Sequence, residues 1–319
     1  MPLTDTARAQ LQIHFCVLLW GFTAILGKLI TLPALPLVWW RMLLVVLALA
    51  LVPRVWRGLR RMPARLLWAY AGIGVLVGLH WLTFYGAIKL ANASVAATCI
   101  ALATAFTAVV EPWLARTRFR PRDLLLGIAV LPGVALVVGG VPDEMRVGIV
   151  VGAISALLVA CFGSLNKRLV DSVGENADPL TVTALELGAG TLALTLLAPL
   201  MPAIFPVFAG PLLLVPGGSD AIYLLLLALG CTLLPFALSL VALRHMSAFS
   251  AQLAVNLEPV YAIVLAIVLL GEQHELAGMF YLGVAVILAA VFVHPWLSRT
   301  RRLEHPETLA TSEAKGIVD

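Results

Sequence analysis

The sequence predicts an all-α integral membrane protein of ten transmembrane helices in two inverted halves, and three observations carry that prediction. The chain is 61% hydrophobic and only 12% charged over 319 residues, with a mean hydropathy of +1.02, more apolar surface than a soluble core of this size can hide. Its apolar residues fall into segments long enough to cross a bilayer core of about 30 Å, which takes about 20 residues of helix. Seventeen of its 21 lysines and arginines then lie on one side of those segments, the bias that marks the cytoplasmic face.

The segments are placed at 11–31, 35–52, 66–89, 92–115, 124–141, 148–168, 179–200, 221–243, 247–271 and 277–297. Residues 1–10 form a polar, cytoplasmic N-terminus. No cleavable signal is expected, because the first apolar stretch is too long and lacks a small-x-small site. Arg54, Arg57, Arg60, Arg61 and Arg65 join segments 2 and 3, and Arg116, Arg118, Arg120 and Arg122 join segments 4 and 5. Lys167 and Arg168 end segment 6, Arg244 separates segments 8 and 9, and Arg299, Arg301, Arg302 and Lys315 lie in a polar tail over 298–319. The opposite side keeps Lys28, Lys89 and Arg146. Both termini are therefore expected in the cytoplasm, and the chain in the inner (plasma) membrane. The sequence pI of about 9.0 reflects these loops and not a nucleic-acid footprint.

The stretch between Pro199 and Asp220 holds five prolines, Pro199, Pro202, Pro206, Pro211 and Pro216, so it cannot be one helix. It is expected to lie in the interface or to re-enter the bundle in part. The cysteines Cys16, Cys99, Cys161 and Cys231 show no paired spacing and are expected to pack as free thiols.

The chain repeats itself. An offset of 155 lays Ala87 on Ala242, Lys89 on Arg244, Ala93 on Ala248 and Ala96 on Ala251, and an offset of 156 lays Leu126-Gly127 on Leu282-Gly283. Trp20-Gly21 matches Phe162-Gly163 more loosely, and Pro36-Leu37 opens segment 2 as Pro179-Leu180 opens segment 7. Five helices per half is an odd number, so the second half must enter the membrane from the opposite side, as inverted repeats do.

Segment 9 reads Asn256-Leu257-Glu258-Pro259-Val260-Tyr261, followed by Leu269-Leu270-Gly271-Glu272, while segment 1 carries Trp20-Gly21 before Lys28 and segment 2 holds Arg41. With the duplication, these residues resemble the EamA family of the drug/metabolite transporter (DMT) superfamily, over residues 11 to about 297. The resemblance implies two EamA repeats, at 11–141 and 148–297. It also implies a secondary transporter that moves a small organic metabolite by alternating access, with export as the expected direction. An amino acid, a related metabolite or a drug-like compound would be the substrate. The first half departs from the pattern, because Ala103-Thr104 stands where Glu258-Pro259 stands in the second, and Glu111-Pro112 follows one to two turns later.

Ionisable groups inside the hydrocarbon are costly and usually face a bundle interior. Here they are Arg41, His80, Glu111, Glu186 and Glu258. At about 1.5 Å per residue Glu258 lies about 16 Å into segment 9, near the midplane, and is the first candidate for a proton or cation site or a contact to a substrate amine. Pro259 beside it lacks an N–H and is the expected hinge. His80, at similar depth, is a candidate proton relay. Trp20, Trp81, Tyr85 and Tyr261 are candidate cavity walls, and Asn256, Gln252, Thr98 and Thr104 candidate polar contacts, each with helix packing as the plain alternative. Arg41 is expected to snorkel toward the outer headgroups beside Trp39 and Trp40, with attraction of anions from the outer face as the alternative. Glu111 and Glu186 are expected to serve an inner gate or ion pairs with the neighbouring arginine loops, and Lys28 and Lys167 to anchor helix ends.

No phosphate loop, zinc-protease pair or cofactor motif is present in the sequence, so no cofactor and no ATP-driven step is expected. Glu272-Gln273-His274-Glu275 reads as a polar cap more readily than a metal site. The expected partners are a small-molecule substrate, the lipid bilayer and a coupled proton or cation. An integral membrane enzyme or lipid-handling protein is one alternative, which would need Glu111, Glu186 and His80 clustered at one depth. A passive channel is another, which would need a continuous polar stripe.

Overall fold

The computed structural model describes residues 4–119, 121–173, 178–255 and 257–297. Its helices are α1 (Asp5–Leu29), α2 (Ala34–Ala50), α3 (Pro53–Arg61), α4 (Ala64–Leu90), α5 (Ala93–Ile100), α6 (Leu102–Leu114), α7 (Pro121–Gly139), α8 (Arg146–Val173), α9 (Pro179–Leu197), α10 (Met201–Ile204), α11 (Gly218–Leu225), α12 (Leu234–Ala242), α13 (Ala248–Val255), α14 (Glu258–Leu265) and α15 (Gly278–Leu297). No strand occurs among the described residues. Helix occupies each of the ten expected segments. Among the described residues six helical stretches are long and apolar enough to cross a membrane, or seven when α2 and α3, which bend by 92°, count as one span. The remaining apolar stretches, Ala129–Gly139, Glu258–Leu270 and Gly278–Ala290, are shorter.

Two boundaries differ from expectation for local reasons. The first helix starts at Asp5 because Thr4 caps it, its hydroxyl oxygen accepting from the Ala7 N–H at 3.2 Å, as short polar residues do at helix starts. The arginine-rich connection after α2 is itself a helix, α3. Pro53 at its first position is preset for a helical start, and Arg54 pairs with Asp178 at 2.7 Å, pinning α3 to the start of α9.

The packing obeys the repeat. Helix α4 lies against α8 and α9, α1 against α12 and α14, α6 against α8, α2 against α9 and α7 against α15. Exchanging the first half for the second turns the α4–α8 contact into α12–α1 and the α6–α8 contact into α14–α1, while α2–α9 and α7–α15 map onto themselves. Small residues let these helices approach closely. A Cβ on Gly74 would overlap the Glu186 carbonyl, and one on Gly133 would sit 2.8 Å from the Gly283 carbonyl oxygen. The outward faces are apolar: Leu11, Phe15, Leu18 and Phe22 line the exposed side of α1, as Leu192 and Leu196 do on α9.

The long helices of the two halves break at matching places. Segment 4 is divided at Ala101 and segment 9 between Val255 and Glu258, positions that the offset of 155 superimposes. Pro259, at the second residue of α14, accounts for the second break. The first has no proline; there Ala101 N–H donates to the Thr98 carbonyl at 3.1 Å, a tightened turn. Segments 8 and 9 also contain wide π turns, at Leu226–Leu233 and Ala266–Leu270.

The Pro-rich stretch after α9 forms the short α10 and a 3-10 turn at Pro206–Phe208. Phe208 is buried with its ring against Gly86, so this connection caps the bundle end opposite the arginine loops.

Candidate functional site

A cavity of about 130 Å³ lies where α1, α2, α4, α5, α8, α12, α13 and α14 converge. Its walls are aromatic and aliphatic, including Trp20, Trp81, Phe84, Phe162 and Phe236, and its ionisable members are Arg41, His80 and Glu258. From Arg41 it extends to Ile13, Leu243 and Ala251, near the end of the bundle that carries the arginine loops. Those three residues belong to a small apolar cluster with Ala9, Met246 and Ala254.

Arg41 does not snorkel. It is only 2% exposed and its guanidinium turns inward, with its carbon 3.9 Å from the centre of the Trp81 ring and 5.5 Å from that of Tyr85. Its Nε donates to Thr232 Oγ1 at 2.6 Å and its Nη1 to the Tyr85 hydroxyl at 2.7 Å. The π turn explains Thr232. The wider turn lets the Thr232 hydroxyl donate to the Leu227 carbonyl five residues back at 2.6 Å while its oxygen faces Arg41, a use of π segments common at functional sites. Five rigid donors and an aromatic face suit Arg to such a place better than Lys.

His80 is tied to α8. Its Nδ1 lies 2.8 Å from Ser155 Oγ and 3.1 Å from the Ser155 carbonyl oxygen, and the Ser155 hydroxyl in turn lies 3.1 Å from the His80 carbonyl oxygen. Phe84 and Phe162 flank the ring at 6.1 and 5.5 Å. With Nδ1 held, Nε2 is the nitrogen left for a ligand.

Glu258 is buried at the first position of α14, where a helix start favours negative charge. Arg41 is its electrostatic neighbour, yet no ion pair within 4.0 Å joins them among the described residues. The cavity therefore presents an acidic and a basic group between aromatic walls, with no ion pair joining them.

The other expected residues separate. Tyr85 is buried beneath Arg41 and orients it. Tyr261 lies against Gly21 and is 38% exposed, so it belongs to the outer surface of α14 and not to the cavity wall. Thr98 is buried with its hydroxyl donating to the Ser94 carbonyl at 2.7 Å, and Thr104 and Glu111 are buried on α6; none of the three lines the cavity. Glu186 is fully buried and does not line the cavity; Asn166 is its polar neighbour, and among the described residues no ion pair joins it, in place of the expected one. Lys167 pairs with Asp171 at 2.6 Å and donates to the Leu243 carbonyl at 3.2 Å, which ties α8 to the end of α12. Lys28 sits in the last turn of α1. Asn256 and the side chain of Gln252 lie outside the described residues. Ser155, Thr232 and Phe236 are site residues that the sequence did not single out; Thr232 and Ser155 are lone hydroxyls within apolar runs, a signal too common to select.

The end of the bundle opposite the arginine loops is closed by polar bonds. Lys89 Nζ donates to the Ile30 carbonyl at 2.5 Å, and Asp220 accepts from the Thr31 N–H and hydroxyl at 3.0 and 2.6 Å. Glu272 is fully buried and accepts from the N–H groups of Ala93 and Ser94 at 3.0 and 2.9 Å, while Glu275 accepts from the Asn92 amide at 3.0 Å. This is the role of the acidic cluster after Gly271, and no group of three or more metal-binding side chains occurs among the described residues.

The EamA-like transporter family matches the chain over residues 8–139 and 146–294, the two halves defined by the packing. A crystal structure of another protein is similar in fold, with a TM-score of 0.63, 20% sequence identity, and coverage of 92% of this chain and 98% of that one. No curated protein matches the sequence.

Proposed function

The chain belongs to the EamA-like transporter family, and from that premise we propose that it exports a small organic metabolite through the central cavity by alternating access. One observation carries the proposal: Arg41 and Glu258 line the same aromatic-walled cavity without pairing. A zwitterionic metabolite of amino-acid size would place its carboxylate at Arg41 and its ammonium at Glu258, with Trp20, Trp81 and Phe236 around its apolar part. His80, which shares the cavity, is positioned to exchange a proton with the substrate or with Glu258. Matching helix breaks at Ala101 and before Glu258 are the hinges about which two inverted halves would rock.

In this reading all ten segments cross the inner membrane, both termini are cytoplasmic, and Glu272, Lys89 and Asp220 close the external side. The polar latch on that side, against a thin apolar cluster around Ile13 and Leu243 on the other, describes an outward-closed state. A channel is disfavoured, because the polar residues are isolated along their helices and the external end is bonded shut.

Metabolite release from cells with and without the protein, followed by uptake of the most enriched compound into proteoliposomes, tests the reading. Saturable uptake with counterflow supports it. No released compound, or non-saturable flux, removes it.

A further inference from the structure

A second polar site lies between α4, α8 and α9, apart from the central cavity. Among the described residues, the buried side-chain oxygens without a hydrogen-bond partner include Tyr70 Oη, Asn166 Oδ1, Thr183 Oγ1 and both oxygens of Glu186. The backbone brings these residues together. Gly74 packs directly on Glu186; Tyr70 lies one turn before Gly74, and Thr183 nearly one turn before Glu186. Tyr70 is an electrostatic neighbour of both Glu186 and Arg244, and the Asn166 side chain lies beside the Glu186 carboxyl. All four side chains are at most 2% exposed, and none lines the cavity.

A buried carboxylate without compensation is costly, and each buried polar group without a partner adds to the cost. A close-packed junction that accumulates such atoms in one place is explained by an occupant that satisfies them together. Five oxygens, contributed by three helices and carrying one formal negative charge, are a hard donor set for a monovalent ion. A proton on Glu186 would neutralise the charge but leave Tyr70, Asn166 and Thr183 as they are. A divalent ion would find only one carboxylate.

We propose that Tyr70, Asn166, Thr183 and Glu186 form a sodium-ion site that couples ion binding to transport. Tyr70 comes from the first repeat and the other three from the second, so an ion bound there clamps the halves along α4 and its loss frees them to move. The coupling rests on the proposed transport cycle; the binding site does not.

The experiment separates the two. Purified protein is melted in sodium chloride and in choline chloride at equal ionic strength and pH, and binding of radioactive sodium is measured directly. Sodium is expected to raise the melting temperature saturably. Glu186→Gln should bind sodium at least tenfold more weakly, and Thr183→Val, which removes one ligand without touching the charge, should weaken it measurably. Glu258→Gln should bind it normally. A melt indifferent to sodium, a response retained in Glu186→Gln, or a melt that follows pH alone would overturn the site. Sodium binding without sodium-driven uptake in proteoliposomes would keep the site and overturn its coupling to transport.

Discussion

Ser94 is held by Glu272 through two hydrogen bonds at once, its N–H at 2.9 Å and its hydroxyl at 2.6 Å from the same carboxylate oxygen. The second oxygen takes the Ala93 N–H at 3.0 Å, so one carboxylate from the second half caps the start of α5 in the first, where exposed N–H groups and the helix dipole favour negative charge. In Glu272→Gln an amide N–H must face one of these donors. Leaving a buried donor unpaired costs about 1–3 kcal/mol, so the melting temperature should fall by several degrees. A melt equal to that of the unaltered protein would show that the latch contributes nothing to the closed state.

Two glycines two residues apart on α4, and so on nearly opposite faces of the helix, should behave oppositely. A methyl group on Gly74 collides with the Glu186 backbone, whereas one on Gly72 meets nothing within 4 Å. Gly74→Ala must push α4 and α9 apart and should cost about 1–3 kcal/mol, as overpacking does. Gly72→Ala should be neutral or stabilising by up to about 1 kcal/mol, from helix propensity alone. Thermal melts of the pair check this, and equal melts would refute the close packing.

Arg41 should not tolerate a conservative exchange. Lys keeps the charge but loses the paired donation to Thr232 and Tyr85 and the guanidinium contact over the Trp81 ring. Arg41→Lys should reduce transport at least tenfold while the protein still purifies as a folded species, and Thr232→Val should cause a smaller loss by freeing the Nε donor. Wild-type transport rates in Arg41→Lys would remove Arg41 from the substrate path.

The proposed sidedness has its own check. The four native cysteines are buried or half-buried, so background labelling by an impermeant thiol reagent should be low. Cysteines at Arg57 and Arg118 should resist reagent added outside intact cells, and cysteines at Glu144 and Ser219 should react. The reverse pattern would invert the orientation.

Much of the fold was legible because bilayer chemistry writes long apolar runs and an arginine bias into the chain. Helix occupies each predicted segment, and the offset of 155 that aligned Ala87 with Ala242 also aligns the breaks at Ala101 and before Glu258. Glu258, His80, Trp20 and Trp81 were recognisable as buried polar or aromatic groups, and they do line one cavity. Arg41 was misread because depth along a helix says nothing about the face a side chain takes; the deciding partners, Tyr85 and Thr232, come from other helices. Thr232 reaches it through a π turn, which has no sequence signature. For Glu186 the sequence suggests an inner gate or an ion pair, since proximity to arginine loops in sequence resembles proximity in space. The acidic cluster reads as a polar cap, and Glu272 is one, but nothing in Glu-Gln-His-Glu reveals that its first residue caps a helix start 178 positions away.

The central claim, that substrate lies between Arg41 and Glu258, is tested most directly by Glu258→Gln. The amide preserves shape and removes the negative charge. With the metabolite identified by release from cells, uptake into proteoliposomes should fall at least tenfold in Glu258→Gln, with a melting temperature no lower than that of the unaltered protein. Undiminished uptake by Glu258→Gln would contradict the account and return Glu258 to a role in helix packing.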